Sequence, residues 1–178
     1  MDRIVGKKAP YFEMNTVLGD GSDFGRVSLD DYHGEWLVMF FYPLDFTFVC
    51  PTEITGFSKR YNDFKELDAD VLAVSVDSEY SHQAWIKADK ESGGIGEIKF
   101  QIASDITKKV SRKYGVLIEE DGISLRGLFI IDPDGIILYS VVHDLNVGRS
   151  VDETLRVLQA LQSGGLCPID WSPGDEML

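Results

Sequence analysis

Continuous apolar runs alternate along this chain with stretches in which apolar residues recur every third or fourth position, the pattern of strands alternating with helices in a layered α/β fold. Trp36 to Tyr42 and Val71 to Val76 are apolar almost throughout and read as strands buried on both faces. Between them, Ile54, Phe57, Tyr61, Phe64 and Leu67 draw a single stripe that predicts one helix. Glu79 to Lys90 reads as another helix, broken by the glycines of Ser92-Gly93-Gly94-Ile95-Gly96. Residues 98 to 103 predict a short edge strand, and Asp105 to Tyr114 a helix that stops at Gly115. Gly127 to Ile131 and Ile136 to Val142 flank Asp132-Pro133-Asp134-Gly135, a turn composition that predicts an antiparallel hairpin. Ser150 to Gln162 predicts the last helix, with Ser150 and Glu153 at capping-box spacing and Leu155, Leu158 and Leu161 as its apolar stripe. The expectation is one domain over residues 1–163, built on a central mixed sheet of about five strands with helices on both faces, followed by an irregular tail over 164–178.

Charge narrows the function classes. Thirty acidic residues against 17 basic ones give a net charge of -13, which repels polyphosphate, so nucleic acid is excluded as a partner. The one basic cluster, Lys108, Lys109, Arg112 and Lys113, falls at helical spacing and reads as a solvated helix face. No membrane association is expected, because the longest apolar run, Trp36 to Pro43, is too short to span a bilayer. The first residues interleave charges with single apolar side chains, unlike a signal peptide, and a cytoplasmic location follows as the expectation. His33, His82 and His143 lack ligand spacing, and two cysteines are too few for a cysteine-based zinc site, so neither metal nor other cofactor is expected.

The two cysteines carry the candidate chemistry. Cys50 lies between the strand ending near Tyr42 and the helix that begins before Ile54, the junction where α/β sheets gather ligands. Pro51 fits a first helical turn, where its missing N–H is tolerated, and this puts Cys50 at the helix N-terminus, whose dipole and unpaired amides favour a thiolate. Glu53, one turn along, would oppose that negative charge. A cation is therefore required: Arg126, leading into a buried strand, is the first choice, and Arg149, beside the start of the last helix, the second. Position alone leaves Cys50 open to two readings, a reactive thiol or an inert buried one. It leaves Cys167 open as well, since a spare thiol is tolerated in a tail.

Pro43-Leu44-Asp45-Phe46-Thr47-Phe48-Val49-Cys50-Pro51 resembles the Pro-x-x-x-Thr-x-x-Cys motif of the peroxiredoxins, in particular the typical two-cysteine branch that includes the alkyl hydroperoxide reductase C-subunit. Arg126 in Leu-Arg-Gly-Leu-Phe-Ile-Ile-Asp, Arg149 in Val-Gly-Arg-Ser-Val-Asp, and Cys167-Pro168-x-x-Trp171 are similar to further signatures of that family, in the same order. The resemblance implies a thioredoxin-like fold and a cofactor-free peroxidase acting on hydrogen peroxide and small organic hydroperoxides. It implies that Cys50 is oxidised to a sulfenic acid and that Cys167 resolves it as a disulfide across a dimer interface. Thr47, the Cys50 backbone N–H and Arg126 would donate hydrogen bonds to the leaving oxygen. Pro43 would shield the sulfur, and Trp171 would dock the tail on the partner subunit. The reductant implied is thioredoxin or a flavoprotein disulfide reductase, and the assembly a homodimer or a decamer of five dimers. Without a downstream helix bearing a Tyr-Phe pair, disulfide formation should outpace overoxidation. The alternative function is an oligomeric holdase chaperone with little peroxidase turnover; a general disulfide exchanger is disfavoured by the lack of Cys-x-x-Cys.

Overall fold

A computed structural model describes residues 3–178. Its centre is β3 (Trp36–Phe41), which pairs in parallel with β4 (Ala69–Ser75) and antiparallel with β8 (Arg126–Ile131). The mixed sheet has seven strands rather than about five, in the order β2 (Phe24–Ser28), β1 (Glu13–Val17), β5 (Ile102–Ser104), β4, β3, β8, β9 (Ile137–His143). The two extra strands are β1 (Glu13–Val17) and β2 (Phe24–Ser28), whose sequence pattern is weak because β2 is an edge strand burying only Val27. Their hairpin adds to β5 (Ile102–Ser104) through pairs such as Thr16 with Ala103, so β5 lies between β1 and β4 and is not the edge strand its sequence predicts. A separate two-stranded ladder joins β6 (Leu117–Ile118) to β7 (Ile123–Ser124).

Alternate side chains of β3 divide the core. Val38 and Phe40 face one side with Ile54, Phe57, Phe64, Trp85, Leu155 and Leu158; Leu37, Met39 and Phe41 face the other with Val110 and Tyr114. Helices cover both faces, and this explains why β3 reads as an unbroken apolar run. The helix predicted through Leu67 is two helices, α1 (Cys50–Lys59) and α2 (Tyr61–Glu66), separated at Arg60. Arg60 pairs there with Asp63 and with Asp152. α3 (Glu79–Lys87) ends before the predicted Lys90, where Ala88 turns extended. Trp85 Nε1 then holds the glycine loop by donating to the Gly93 carbonyl at 2.9 Å. α4 is only Lys109–Lys113, because Lys108 adopts a left-handed φ of 59° and the Asp105 carboxylate accepts from Val110 N and Ser111 N instead of entering the helix.

The hairpin between β8 and β9 (Ile137–His143) forms on Asp132, which accepts from Asp134 N and Ile136 N, with Gly135 at φ 79°. The last helix, α5 (Val151–Ser163), has half of the predicted capping box: Ser150 Oγ accepts from Glu153 N, while the Glu153 carboxylate turns to Arg156. The tail contains neither helix nor strand. It folds back on its own chain, where Trp171 is buried and its carbonyl accepts from Arg156 Nη1 at 2.8 Å. No helix among the described residues is long and apolar enough to cross a membrane.

Candidate active site

β3 delivers the chain to the site. Tyr42 N extends the ladder by donating to Val74 O at 3.0 Å, the buried Pro43 turns the chain away from the sheet, and residues 43–49 lead into α1. Cys50 is the first residue of α1 and Pro51 the second, so the helix begins where its missing N–H breaks no ladder bond. The sulfur-bearing side chain is fully buried. The antiparallel register that sets Phe40 opposite Leu128 carries Arg126, at the start of β8, to the strand exit where Cys50 waits.

Arg126 Nη1 lies 3.3 Å from Cys50 Sγ and 2.7 Å from Glu53 Oε2, and its Nε donates to Leu145 O at 2.8 Å. Arg149, just ahead of α5, does not bond the sulfur. It grips Glu53 through its backbone N–H and Nε on Oε1 and through Nη2 on Oε2, while Nη1 donates to Phe41 O and Gly127 O. Its guanidinium also stacks 5.1 Å over the Phe40 ring. Glu53 therefore spans both arginines and fixes their positions. Burial works to raise the Glu53 carboxyl, but the hydrogen bonds and charge of Arg149, with Arg126 behind them, hold it below its ordinary value. Burial likewise pulls Arg149 down, opposed by Glu53.

The charge count has a chemical consequence. Two buried guanidiniums against one carboxylate leave an excess of one positive charge, and a buried unpaired charge is costly. Cys50 Sγ, within hydrogen-bond reach of Arg126, is where an anion would complete that balance. Both oxygens of Glu53 are bonded by arginine, and of the two candidate cations Arg126 reaches Cys50 Sγ while Arg149 holds Glu53. Thr47, expected as a donor to the leaving oxygen, donates its hydroxyl to Leu44 O at 2.9 Å in this structure. Cys167 is far from this group: its Sγ contacts Ser163 Oγ and Ala160 O at the C-terminal end of α5. Both thiols are free. Trp171 is buried within its own chain.

Sequence reasoning missed the buried group beside the site formed by Tyr42, Asp45 and His82, in which Asp45 bonds both of the others. Only the place of Asp45 inside the Pro43–Cys50 motif could have pointed to it.

Comparison with known proteins agrees with this geometry. Residues 5–140 match the AhpC/TSA family. A protein of Clostridium pasteurianum described as a putative peroxiredoxin in a rubredoxin operon is 68% identical over 178 residues, covering all of both chains. A mouse mitochondrial thioredoxin-dependent peroxide reductase is 53% identical over 95% of this chain and 66% of its own. The crystal structure of reduced Plasmodium vivax 2-Cys peroxiredoxin superposes with a TM-score of 0.95 at 44% identity, covering 99% of this chain and 93% of the other. A buried cysteine held by arginine at a helix start, on a thioredoxin-like sheet shared with these relatives, makes this chain a two-cysteine peroxiredoxin and a member of the AhpC/TSA family.

Proposed function

We propose that the chain reduces hydrogen peroxide and small organic hydroperoxides with Cys50 as the attacking sulfur and Cys167 as the resolving one. The observation that carries the reading is Arg126 Nη1 at 3.3 Å from a buried Cys50 Sγ, with Glu53 pinning the arginine from behind. The Cys50 thiolate attacks the terminal oxygen of RO–OH, the O–O bond breaks, and the sulfur gains OH as a sulfenic acid while RO⁻ leaves and is protonated to ROH. Negative charge builds on the leaving oxygen beside Arg126, whose guanidinium stabilises it without rearrangement. Pro43 keeps water off the sulfur, and the Thr47 hydroxyl oxygen accepts a hydrogen bond from the peroxide O–H, which orients it. The thiol of Cys167 then attacks the sulfenic sulfur, forming S–S and releasing water, and a thioredoxin-type dithiol or a flavoprotein disulfide reductase returns both sulfurs to thiols.

Helix geometry supports resolution between subunits. Arg149, touching Glu53 in the Cys50 network, sits at the N-terminal end of α5, and Cys167 lies against Ala160 near its C-terminal end. Ala160 lies ten positions along the helix from Ser150, about 15 Å, whereas a disulfide needs its Cα atoms within about 7 Å. Residues 164–178 thus serve as an arm that resolves a neighbour's Cys50, and residues 1–163 as the peroxidase domain. Exposed aromatic side chains around α3, with Phe24 and Tyr80 paired edge to face at 5.1 Å and Phe46 beside Trp85, favour a surface that joins dimers into a decamer. A cycle through free thiols and a dithiol reductant suits the cytoplasm. The test is a non-reducing gel after one equivalent of peroxide. A disulfide-linked dimer should form in the wild type and in neither Cys50→Ser nor Cys167→Ser; a dimer that persists in either variant overturns the assignment.

A further inference from the structure

A second buried polar group borders the Cys50 network without joining it. Asp45, in the loop between β3 and α1, accepts three hydrogen bonds on its carboxylate: from Tyr42 Oη at 2.7 Å, from Ser81 Oγ at 2.8 Å and from His82 Nδ1 at 2.8 Å. Its backbone N–H donates to Asp77 Oδ2 at 3.0 Å. Ser81 and His82 belong to the first half of α3, so these bonds fasten the loop that carries Cys50 to a helix outside the catalytic network. The carboxylate requires the proton on Nδ1. His82 Nε2, fully buried, has no hydrogen-bond partner among the described residues. One ring atom does all the holding, and the other is buried without a partner.

What this group holds is strained. Phe46, directly after Asp45, adopts a φ of 56°, a left-handed conformation unfavourable for an aromatic residue, and the residue remains 47% exposed. Such a residue persists only where its neighbours over-determine it, and Asp45 supplies four hydrogen bonds immediately before it.

We infer that the Asp45–His82 hydrogen bond is the latch that keeps the Cys50 loop closed, and that His82 is a positioning residue setting how fast Cys50 leaves to meet Cys167. The inference rests on the proposed resolution of Cys50 by Cys167. While latched, the sulfenate stays beside Arg126, where a second hydroperoxide transfers one oxygen to it, giving the sulfinate and ROH. Once unlatched, it takes a proton from solvent to become the sulfenic acid and meets the Cys167 thiol; S–S forms, the S–O bond breaks, and the oxygen departs as water. His82 thereby divides each sulfenic acid between dead-end oxidation and turnover.

The test measures, by intact mass and peptide mapping after graded hydrogen peroxide, the ratio of sulfinic Cys50 to Cys50–Cys167 disulfide in wild type, His82→Leu, His82→Asn and Ser81→Ala. Loss of a buried hydrogen bond to a charged group should raise the opening equilibrium about tenfold, so His82→Leu should lower the sulfinic-to-disulfide ratio about tenfold. His82→Asn puts an amide donor where Nδ1 stood and discards only the unpaired Nε2, and it should restore the wild-type ratio. Ser81→Ala, at a half-buried position that tolerates the change, should lower the ratio about threefold and decides the matter if His82→Leu folds poorly. General destabilisation would lower the melting temperature of all three without this order. Wild-type ratios in both His82→Leu and Ser81→Ala would overturn the latch while leaving the proposed cycle intact. Wild type that oxidises Cys50 yet forms no Cys50–Cys167 disulfide would overturn both.

Discussion

Replacing Arg126 by methionine removes the guanidinium from the sulfur while keeping a side chain of similar length. At 3.3 Å, two unit charges interact by about 5 kcal/mol at an effective dielectric constant near 20. Water entering the vacated space returns part of this, and the net loss for a hydrogen bond to a charged group is about 1.5–3 kcal/mol. At about 1.4 kcal/mol per decade, the upper figure is a hundredfold, in the range seen when one preorganised donor is removed from a developing anion. The fold should survive, because Glu53 keeps Arg149 on both its oxygens. The assay is stopped-flow tryptophan fluorescence in a Cys167→Ser background, which isolates the attack of Cys50 on peroxide; Trp85, 5.9 Å from Tyr42 beneath the loop, is the reporter. The second-order rate constant should fall about a hundredfold with the melting temperature little changed. A rate within threefold of wild type would refute the assignment of Arg126 to the reaction.

Arg149→Met should show the opposite balance: it strands the Phe41 and Gly127 carbonyls and half of Glu53's partners in the core, at a cost of about 3–5 kcal/mol, which thermal unfolding should register as a drop of roughly 10 °C or more. Glu53 also makes a pH prediction. Its carboxyl is held below the ordinary value of 4.5 in the fold, so its stabilisation is complete above that pH and is lost as pH falls through the lower folded value. Urea midpoints should therefore decline on acidification below about pH 4.5, and Glu53→Gln should be less stable at pH 7 but show a shallower decline. An equally steep acid decline in Glu53→Gln would remove Glu53 as its source.

The elements legible in the sequence were those whose burial is local. β3, β4, the β8–β9 hairpin and α5 each bury a full run or stripe of their own residues, and each lies within a few residues of its expected bounds. β2 buries one side chain of its five, and the hairpin it makes with β1 joins the sheet through the pairing of β1 with β5, some 90 residues away, a partnership that no local pattern records. The break at Arg60 was hidden because α1 and α2 present one continuous apolar surface: Phe57 and Phe64 stack at 5.8 Å across it, so the stripe continues where the backbone does not. In the site, Cys50 and Arg126 could be paired because each stands at a strand end beside the same exit. The environment of Glu53 could not be foreseen, since its partners come from 73 and 96 positions away. A carboxylate in a sequence shows its own sign and not what neutralises it. The Asp45–His82 contact spans 37 positions and was equally invisible.

The central claim is that peroxide oxidises the one sulfur that completes the Glu53–Arg126–Arg149 charge balance. The most direct measurement is peptide mass spectrometry of the Cys167→Ser protein after one equivalent of hydrogen peroxide in the presence of dimedone, which traps sulfenic acid. A dimedone adduct on the Cys50 peptide at near-stoichiometric yield is the predicted result; an unmodified Cys50 thiol after the peroxide has been consumed would contradict the account.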